Sequence, residues 1–215
     1  MTTFYYDKVK RFIDIVGAIT LCIIFFPITI LCAIAIVIDS EGPIFADTPE
    51  RIGRHGKPFK MYKFRSMIVN AHNILRNDPK FKKLYRQYKN ESYKLKNDPR
   101  VTRVGRFIRK HSIDEIPQLI NVLRGEMSLV GPRAYYSDEL REQQKKYPET
   151  KQLVHEVLSI KPGITGVWQV SGRSEVNFDK RIAIDASYAR KKSIGYDILI
   201  LLRTPNAMIT GRGAV

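Results

Sequence analysis

From Ile15 to Ile38 the chain runs for 24 residues without a charge, and only Gly17, Thr20, Pro27 and Thr29 in that run are not apolar. As one α-helix it would be about 36 Å long at 1.5 Å per residue, enough to cross a hydrocarbon core about 30 Å thick. It exceeds the roughly 7–15 apolar residues of a secretory leader, and no small-residue cleavage site follows. A soluble core helix has no need of so long and pure a stretch, so the segment is expected in a membrane. Cys22 and Cys32, the two cysteines, both lie inside it. That excludes a disulfide scaffold, and no Cys/His cluster has zinc-ligand spacing.

Charge then constrains the topology. Of 37 Lys+Arg and 21 Asp+Glu in 215 residues, 19 basic and 3 acidic ones fall between Arg51 and Ser112, so the whole net charge of +16 sits there. Such a block meets polyanions: nucleic acid, anionic headgroups or phosphorylated substrates. Lys8, Lys10 and Arg11 precede the apolar run, so both its flanks are basic. Positive flanks stay cytoplasmic, and a straight crossing would strand one of them outside. Pro27, thirteenth of the 24 residues, removes a backbone hydrogen bond and bends a helix. The expectation is a re-entrant hairpin that breaks at Pro27, in preference to a kinked full crossing. Its half-helices of about 12 residues would each reach at most roughly 18 Å deep. Residues 1–40 form this membrane unit and residues 41–215 a cytosolic one.

The cytosolic part reads as a compact α/β unit. Glu41-Gly42-Pro43 is a turn, and Phe59–Phe64 alternates apolar and basic residues as a half-exposed strand does. Polar helix formers from Val69 to Lys96 predict one or two surface helices, interrupted at Asp78-Pro79, before a turn at Asn97-Asp98-Pro99. Ser112 and Glu115 have the spacing of a capping box. Ile116, Leu119, Ile120 and Leu123 then mark one helix face, and Gly125 stops the helix. Lys161–Gly166 is a tight loop, with a strand expected through Trp168-Gln169-Val170. Asn177–Lys192 reads as helix. Ile198–Met208, apolar with a proline break, suits a helix lying on the membrane surface.

Asp114 and Glu115 are the carboxylates best placed for chemistry, with Arg103, Arg106, Arg109, Lys110 and His111 just upstream. Consecutive helical positions diverge by about 100°, so one carboxylate could attack phosphorus while the other holds Mg²⁺, a hard cation suited to oxygen ligands. Acids at a helix start also simply complement the dipole. Pro117 weighs against that plainer account, because late in a first turn it forfeits a hydrogen bond. Gly131-Pro132-Arg133 and Gly172-Arg173 each set an arginine beside a turn, where it can grip phosphate in bidentate fashion.

Several longer runs occur together and in order. Lys10-Arg11-Phe12-Ile13-Asp14, the proline-broken apolar segment, Tyr62-Lys63-Phe64-Arg65-Ser66-Met67 and Asp98–Arg106 come first. Ser112–Leu119, Asn121–Arg133, Lys161–Gly166 and Gln169–Arg173 follow. In these runs the chain resembles the bacterial sugar transferases, monotopic polyprenyl-phosphate phosphoglycosyl transferases that include undecaprenyl-phosphate galactose phosphotransferases. The resemblance extends from about Lys10 to Val215. Two departures stand out: Ala134 where the family commonly has proline after Gly-Pro-Arg, and Phe26-Pro27 where it commonly has Ser-Pro.

The resemblance implies a predominantly helical α/β fold: a re-entrant membrane helix, then a small cytosolic catalytic domain with surface-lying amphipathic helices. It implies transfer of a sugar-1-phosphate from a UDP-sugar to undecaprenyl phosphate with release of UMP, starting a surface glycan. The place is the cytoplasmic face of the bacterial inner membrane, among membrane lipids. Asp114 would carry a covalent phosphosugar, Glu115 would help hold Mg²⁺, and metal ligation falls to this same pair. Arg109 and Arg133 are assigned to phosphate grip, with Lys63, Arg65 and Arg173 as further members. Longer relatives carry extra N-terminal transmembrane helices and a nucleotide-binding-like domain, so this chain is expected to be the short form or an equivalent piece. A membrane-tethered nucleic-acid binder would also explain the charge, but no helix-turn-helix or RNP-like pattern is present, and no nucleic-acid partner is expected. A non-catalytic polybasic adaptor has no use for Asp114-Glu115. The residues leave the sugar, the glycan and the oligomeric state open, a homodimer included.

Overall fold

The computed structural model describes residues 3–90, 93, 95, 97–171 and 177–210. Helix α1 (Thr3–Asp39) carries the apolar run and passes through Pro27 as one continuous element, so the two separate half-helices expected there are not what is seen. Proline forfeits one backbone hydrogen bond and fixes a φ that is itself helical, so it can deflect a helix without ending it. Both flanks of α1 dock on the same body. Ala18, with Leu21 and Cys22 beside it, packs among Leu119, Val122, Met127, Leu129 and Val130. Farther along, Cys32 and Ile36 pack against Phe64 and Ile108. Between them Ile23, Ile24, Phe26 and Leu31 are exposed. The helix is long and apolar enough to cross a membrane, and its apolar stretch is almost wholly unburied.

Polar contacts fix both ends of α1. Arg11 donates to the carbonyls of Val122 (2.5 Å) and Leu123 (2.8 Å), capping the C-terminal turn of α5 (Gln118–Arg124). Asp14 is buried and accepts from Ser128 Oγ at 2.9 Å and the Leu129 N–H at 3.0 Å. Lys10 pairs with buried Asp197 at 2.8 Å. At the far end Asp39 accepts the Val104 N–H (3.0 Å) in the first turn of α4 (Arg103–Lys110), where a negative charge suits the helix dipole.

The part of the chain after α1 has two small sheets. β1 (Arg51–Ile52) lies between β2 (Pro58–Phe59) and β4 (Tyr135–Tyr136), antiparallel to both, with Arg51 opposite Phe59 and Tyr136. β3 (Ser128–Val130) pairs in parallel with β5 (Gly163–Thr165), Ser128 facing Gly163. The strand expected over Phe59–Phe64 joins a sheet only at its start and makes an isolated antiparallel bridge from Phe64 to Phe45 at its end; Phe59, Met61 and Phe64 are buried and Lys60 is exposed. The strand expected at Trp168–Val170 lies earlier, as β5, and Val167–Val170 is the short helix α8. Gly163 explains the shift: a Cβ there would lie 2.0 Å from the Gly131 nitrogen, so only glycine lets these backbones pair so closely.

Other helical expectations hold. α2 (Ala71–Asn77) and α3 (Lys82–Asn90) are separated by a 3-10 turn at Pro79–Phe81, which Asp78 caps through the Lys80 N–H. After α6 (Ser137–Lys146) and α7 (Lys151–Leu158) come α9 (Phe178–Lys191) and α10 (Ile194–Thr210), with Pro205 inside α10. Gly125, at φ 79°, ends α5 in the left-handed cap its position predicts. The capping box does not form. Ser112 stands at φ 56° with no side-chain cap bond, Ile113–Glu115 make a 3-10 turn, and α5 begins only after Pro117. Pro117 therefore costs α5 nothing, because an N–H at a helix start has no partner to lose.

Candidate functional site

The 3-10 turn following α4 carries Asp114 and Glu115. Ile113 packs beside the Cys32–Ile36–Phe64–Ile108 cluster, and the Phe64 N–H donates to the Asp114 carbonyl at 3.0 Å, so the turn is held from both sides. One residue before Phe64, the Lys63 ammonium lies 2.9 Å from Glu115 Oε1 and 3.4 Å from Asp114 Oδ2. The two carboxylates are unequal: the Asp114 side chain is 9% exposed and that of Glu115 33%. Burial pushes the Asp114 carboxyl above its ordinary range, Lys63 pulls it back, Glu115 raises it and Arg109 opposes. Burial alone would lower Lys63, but Asp114 and Glu115 outweigh it and hold the ammonium above its usual value. This is a compensated ion cluster with one shielded and one accessible oxygen acid, and α5 makes no use of it as a cap.

The pair opens onto a cavity of about 730 Å³. One part of its wall is apolar and comes from α1 and α10, including Gly17, Leu21, Phe25, Leu201 and Met208. Another part is cationic, with Lys63, Arg109, Arg133 and Arg51. Arg109 stands in the last turn of α4. Arg133 follows β3 in a loop whose backbone is fixed by Asp185: the Arg133 N–H (3.1 Å) and the Tyr135 hydroxyl (2.9 Å) both donate to Asp185 Oδ2. Its guanidinium lies 5.3 Å from the Trp168 ring centre.

Lys63, Arg109 and Arg133 thus share one cavity with the Asp-Glu pair. Arg65 lines it too, but its guanidinium is turned to the end of α1. It donates to the carbonyls of Pro43 (2.6 Å), Ser40 (2.8 Å) and Gly42 (3.2 Å) and to Ser40 Oγ (2.6 Å). That places Arg65 as the anchor of the α1 C-terminus, with its donors engaged away from the carboxylates. Arg173 lies outside the described residues.

Sequence reasoning missed Arg51 and Asp185. Arg51 was one charge in a block of 19. Asp185 was legible in principle: Phe178, Arg181, Ile182, Asp185 and Ala186 share the buried face of α9, and charged residues on an apolar stripe signal a buried network. Arg181 pairs there with Glu139 at 2.6 Å.

The donor set suits magnesium. No group of three or more His, Cys, Asp or Glu exists among the described residues, so a closed protein cage is not available. Two adjacent carboxylates with room before them match an ion that keeps waters and completes its shell with substrate phosphate.

Comparison with known proteins gives this site a setting. The family model for bacterial sugar transferases matches residues 5–211. An undecaprenyl-phosphate galactose phosphotransferase of Salmonella typhimurium is 44% identical over 209 residues, 95% of this chain and 41% of that protein. A UDP-glucose:undecaprenyl-phosphate glucose-1-phosphate transferase of Escherichia coli is 40% identical over 201 residues, 91% of this chain and 39% of its own length. The exopolysaccharide production protein ExoY of Sinorhizobium fredii is 38% identical over 205 residues, 95% of this chain and 87% of that protein. The chain therefore spans about two-fifths of the first two relatives and most of the third.

Proposed function

We propose that this chain, which belongs to the bacterial sugar transferase family, transfers a sugar-1-phosphate from a UDP-sugar to undecaprenyl phosphate and so starts a surface glycan. One observation carries the reading: a buried carboxylate with its own ammonium partner opens onto a cavity walled partly by apolar α1 and α10 and partly by arginines. An isoprenoid tail and a nucleotide phosphate can meet there.

Two displacements suit these residues. Asp114 Oδ attacks the phosphorus that bears the sugar, the bond to the UMP oxygen breaks, and UMP leaves with that electron pair. An oxygen of undecaprenyl phosphate then attacks the same phosphorus, the bond to Asp114 breaks, and the carboxylate is restored. Covalent catalysis of this kind needs little acid–base help and much charge stabilisation. Lys63, Arg109 and Arg133 supply fixed positive charge around the transferred group. Magnesium on the Asp114 and Glu115 oxygens would neutralise phosphate charge. The test is UMP release by the whole chain in lipid with a UDP-sugar panel, undecaprenyl phosphate and Mg²⁺. Absence of UMP with every sugar would overturn the reading, and the active donor would name the sugar.

The helix α1 stays on the cytoplasmic side of the bilayer without crossing, deflected at Pro27 but unbroken. Support comes from the docking of both α1 flanks on one body and from the exposed apolar residues between them. α10, with Ile198, Leu199, Leu202 and Ile209 exposed, rests on the same surface. A tag before Lys8 and another after Val215 should both resist labelling from outside in intact cells. Labelling of either one places it across the bilayer.

A pH limb should come from Asp185. Burial pushes its carboxyl up to about 6, while the Arg133 N–H and the Tyr135 hydroxyl favour the charged form. A raised folded value means that protonation, as pH falls through about 6, favours the fold. What is lost is the charged acceptor that fixes the Arg133 loop. kcat/KM should therefore fall below about pH 6 without unfolding. Asp185→Asn, which keeps an acceptor oxygen but cannot titrate, should be slower and lack that limb. An unchanged limb in the variant assigns it to another group.

A further inference from the structure

We propose that Arg51 and Arg133 together form a phosphate-binding site in the wall of the cavity, in which Arg51 is a ligand residue in its own right. The identity of the phosphate carrier rests on the transferase reading; the anion site does not.

The buried arginines of this chain are mostly compensated. Arg100 pairs with Asp98 at 2.5 Å, Arg181 with Glu139 at 2.6 Å, and Arg65 is surrounded by the oxygens at the end of α1. Arg51, only 7% exposed, differs. It donates from Nη1 to the Ala134 carbonyl (3.1 Å), and its guanidinium lies 3.3 Å from the centre of the Tyr136 ring. Its Nε is buried with no hydrogen-bond partner among the described residues. Arg133 Nε is likewise buried and unpartnered, and burial pushes that guanidinium's pKa down. Neither side chain forms an ion pair among the described residues, and both line the same cavity.

Two neighbouring guanidiniums that form no ion pair among the described residues, Arg51 buried and Arg133 buried at its Nε, are stabilised by an anion that joins them. β1 and the loop after β3 bring them there: Arg51 is paired with Tyr136 in the sheet and bonded to Ala134, the residue after Arg133. Lys63, Asp114 and Glu115 line the same cavity as this pair. Guanidinium forks match phosphate oxygens in number and direction, and a fixed pair suits a group that arrives and leaves in each cycle. In the proposed reaction both the nucleotide and the lipid carrier bring such a group.

The experiment uses the full chain in lipid nanodiscs, with UMP binding at equilibrium and KM for undecaprenyl phosphate as the two arms. Arg51→Gln is expected to weaken one arm by about 10-fold or more, the loss of a charged hydrogen bond, and Arg51→Lys to restore part of it. Loss confined to UMP identifies the nucleotide phosphate as occupant, and loss confined to the lipid identifies the carrier phosphate. Affinities unchanged in both arms, with the variant folded by its melting curve, overturn the site. If Arg51→Gln fails to fold, Arg51→Lys is judged by the same two arms. If wild-type protein binds no UMP and shows no turnover, the transferase reading falls instead, and inorganic pyrophosphate decides the site alone. Weaker pyrophosphate binding in the Arg51 variant upholds it, whereas no binding to the wild type removes it.

Discussion

Asp114→Asn is expected to abolish turnover, with a loss on the order of 10⁴-fold or more, as for other removed nucleophiles. The amide has nearly the shape of the carboxylate but no charge to form the bond to phosphorus. Lys63 keeps Glu115 at 2.9 Å in the variant, and the Asp114 carbonyl still accepts the Phe64 N–H, so the turn should hold. A second readout separates chemistry from damage. With a donor labelled in the sugar and no acceptor lipid, wild-type protein should retain label and the variant none. Label retained on the variant moves the nucleophile elsewhere in the cavity. Glu115→Gln should also lose turnover while remaining folded.

Gly163→Ala is expected to cost about 3 kcal/mol, the upper range for forcing an extra carbon into a packed site. The added carbon would lie 2.0 Å from the Gly131 nitrogen, 2.5 Å from the Thr165 oxygen and 2.7 Å from Gly131 Cα. These are backbone atoms, which cannot swing aside as a side chain can. The Gly163 N–H donates to the Pro132 carbonyl and the Gly131 N–H to that of Thr165, both at 2.9 Å, so the shift passes straight into the loop that carries Arg133. For a chain of this length the melting temperature should drop by roughly 10 °C, with turnover falling further than stability explains. An unchanged melting temperature shows that β3 and β5 can separate at no cost.

Much of this was legible from local signals. The apolar run, the proline-marked gap between α2 and α3, the glycine stop of α5 and the extent of α9 all follow from composition and periodicity within one segment. Misplaced elements were those decided by partners far along the chain. Trp168–Val170 has strand-like residues, yet Gly163–Thr165 took the place beside β3, because close backbone approach outweighs propensity. Ser112 and Glu115 have capping-box spacing, but Glu115 found Lys63, 52 positions earlier. The same holds for the site. Adjacent carboxylates and arginines beside turns could be seen in the chain, whereas Arg51 and Asp185 gain meaning only from what the fold sets against them. Arg65 shows the converse, since a basic residue two positions from a site lysine is committed to helix carbonyls.

Lys63, Phe64 and Arg65 are three consecutive residues with three different attachments. The first meets the carboxylates. The second packs on Cys32 and Ile36 and binds the Asp114 backbone, and the third grips the last carbonyls of α1. No slack separates α1 from Asp114 and Glu115, so on the proposed reading α1 is a structural floor of the site and not a tether that can be cut. A soluble catalytic fragment without α1 should be inert even if it folds. If α1 lies in lipid as proposed, a solvent that strips lipid from its exposed middle and disturbs its C-terminal turn should register as lost turnover before it registers as unfolding. Turnover in a given detergent or bilayer is then a gauge of how well the helix is seated there.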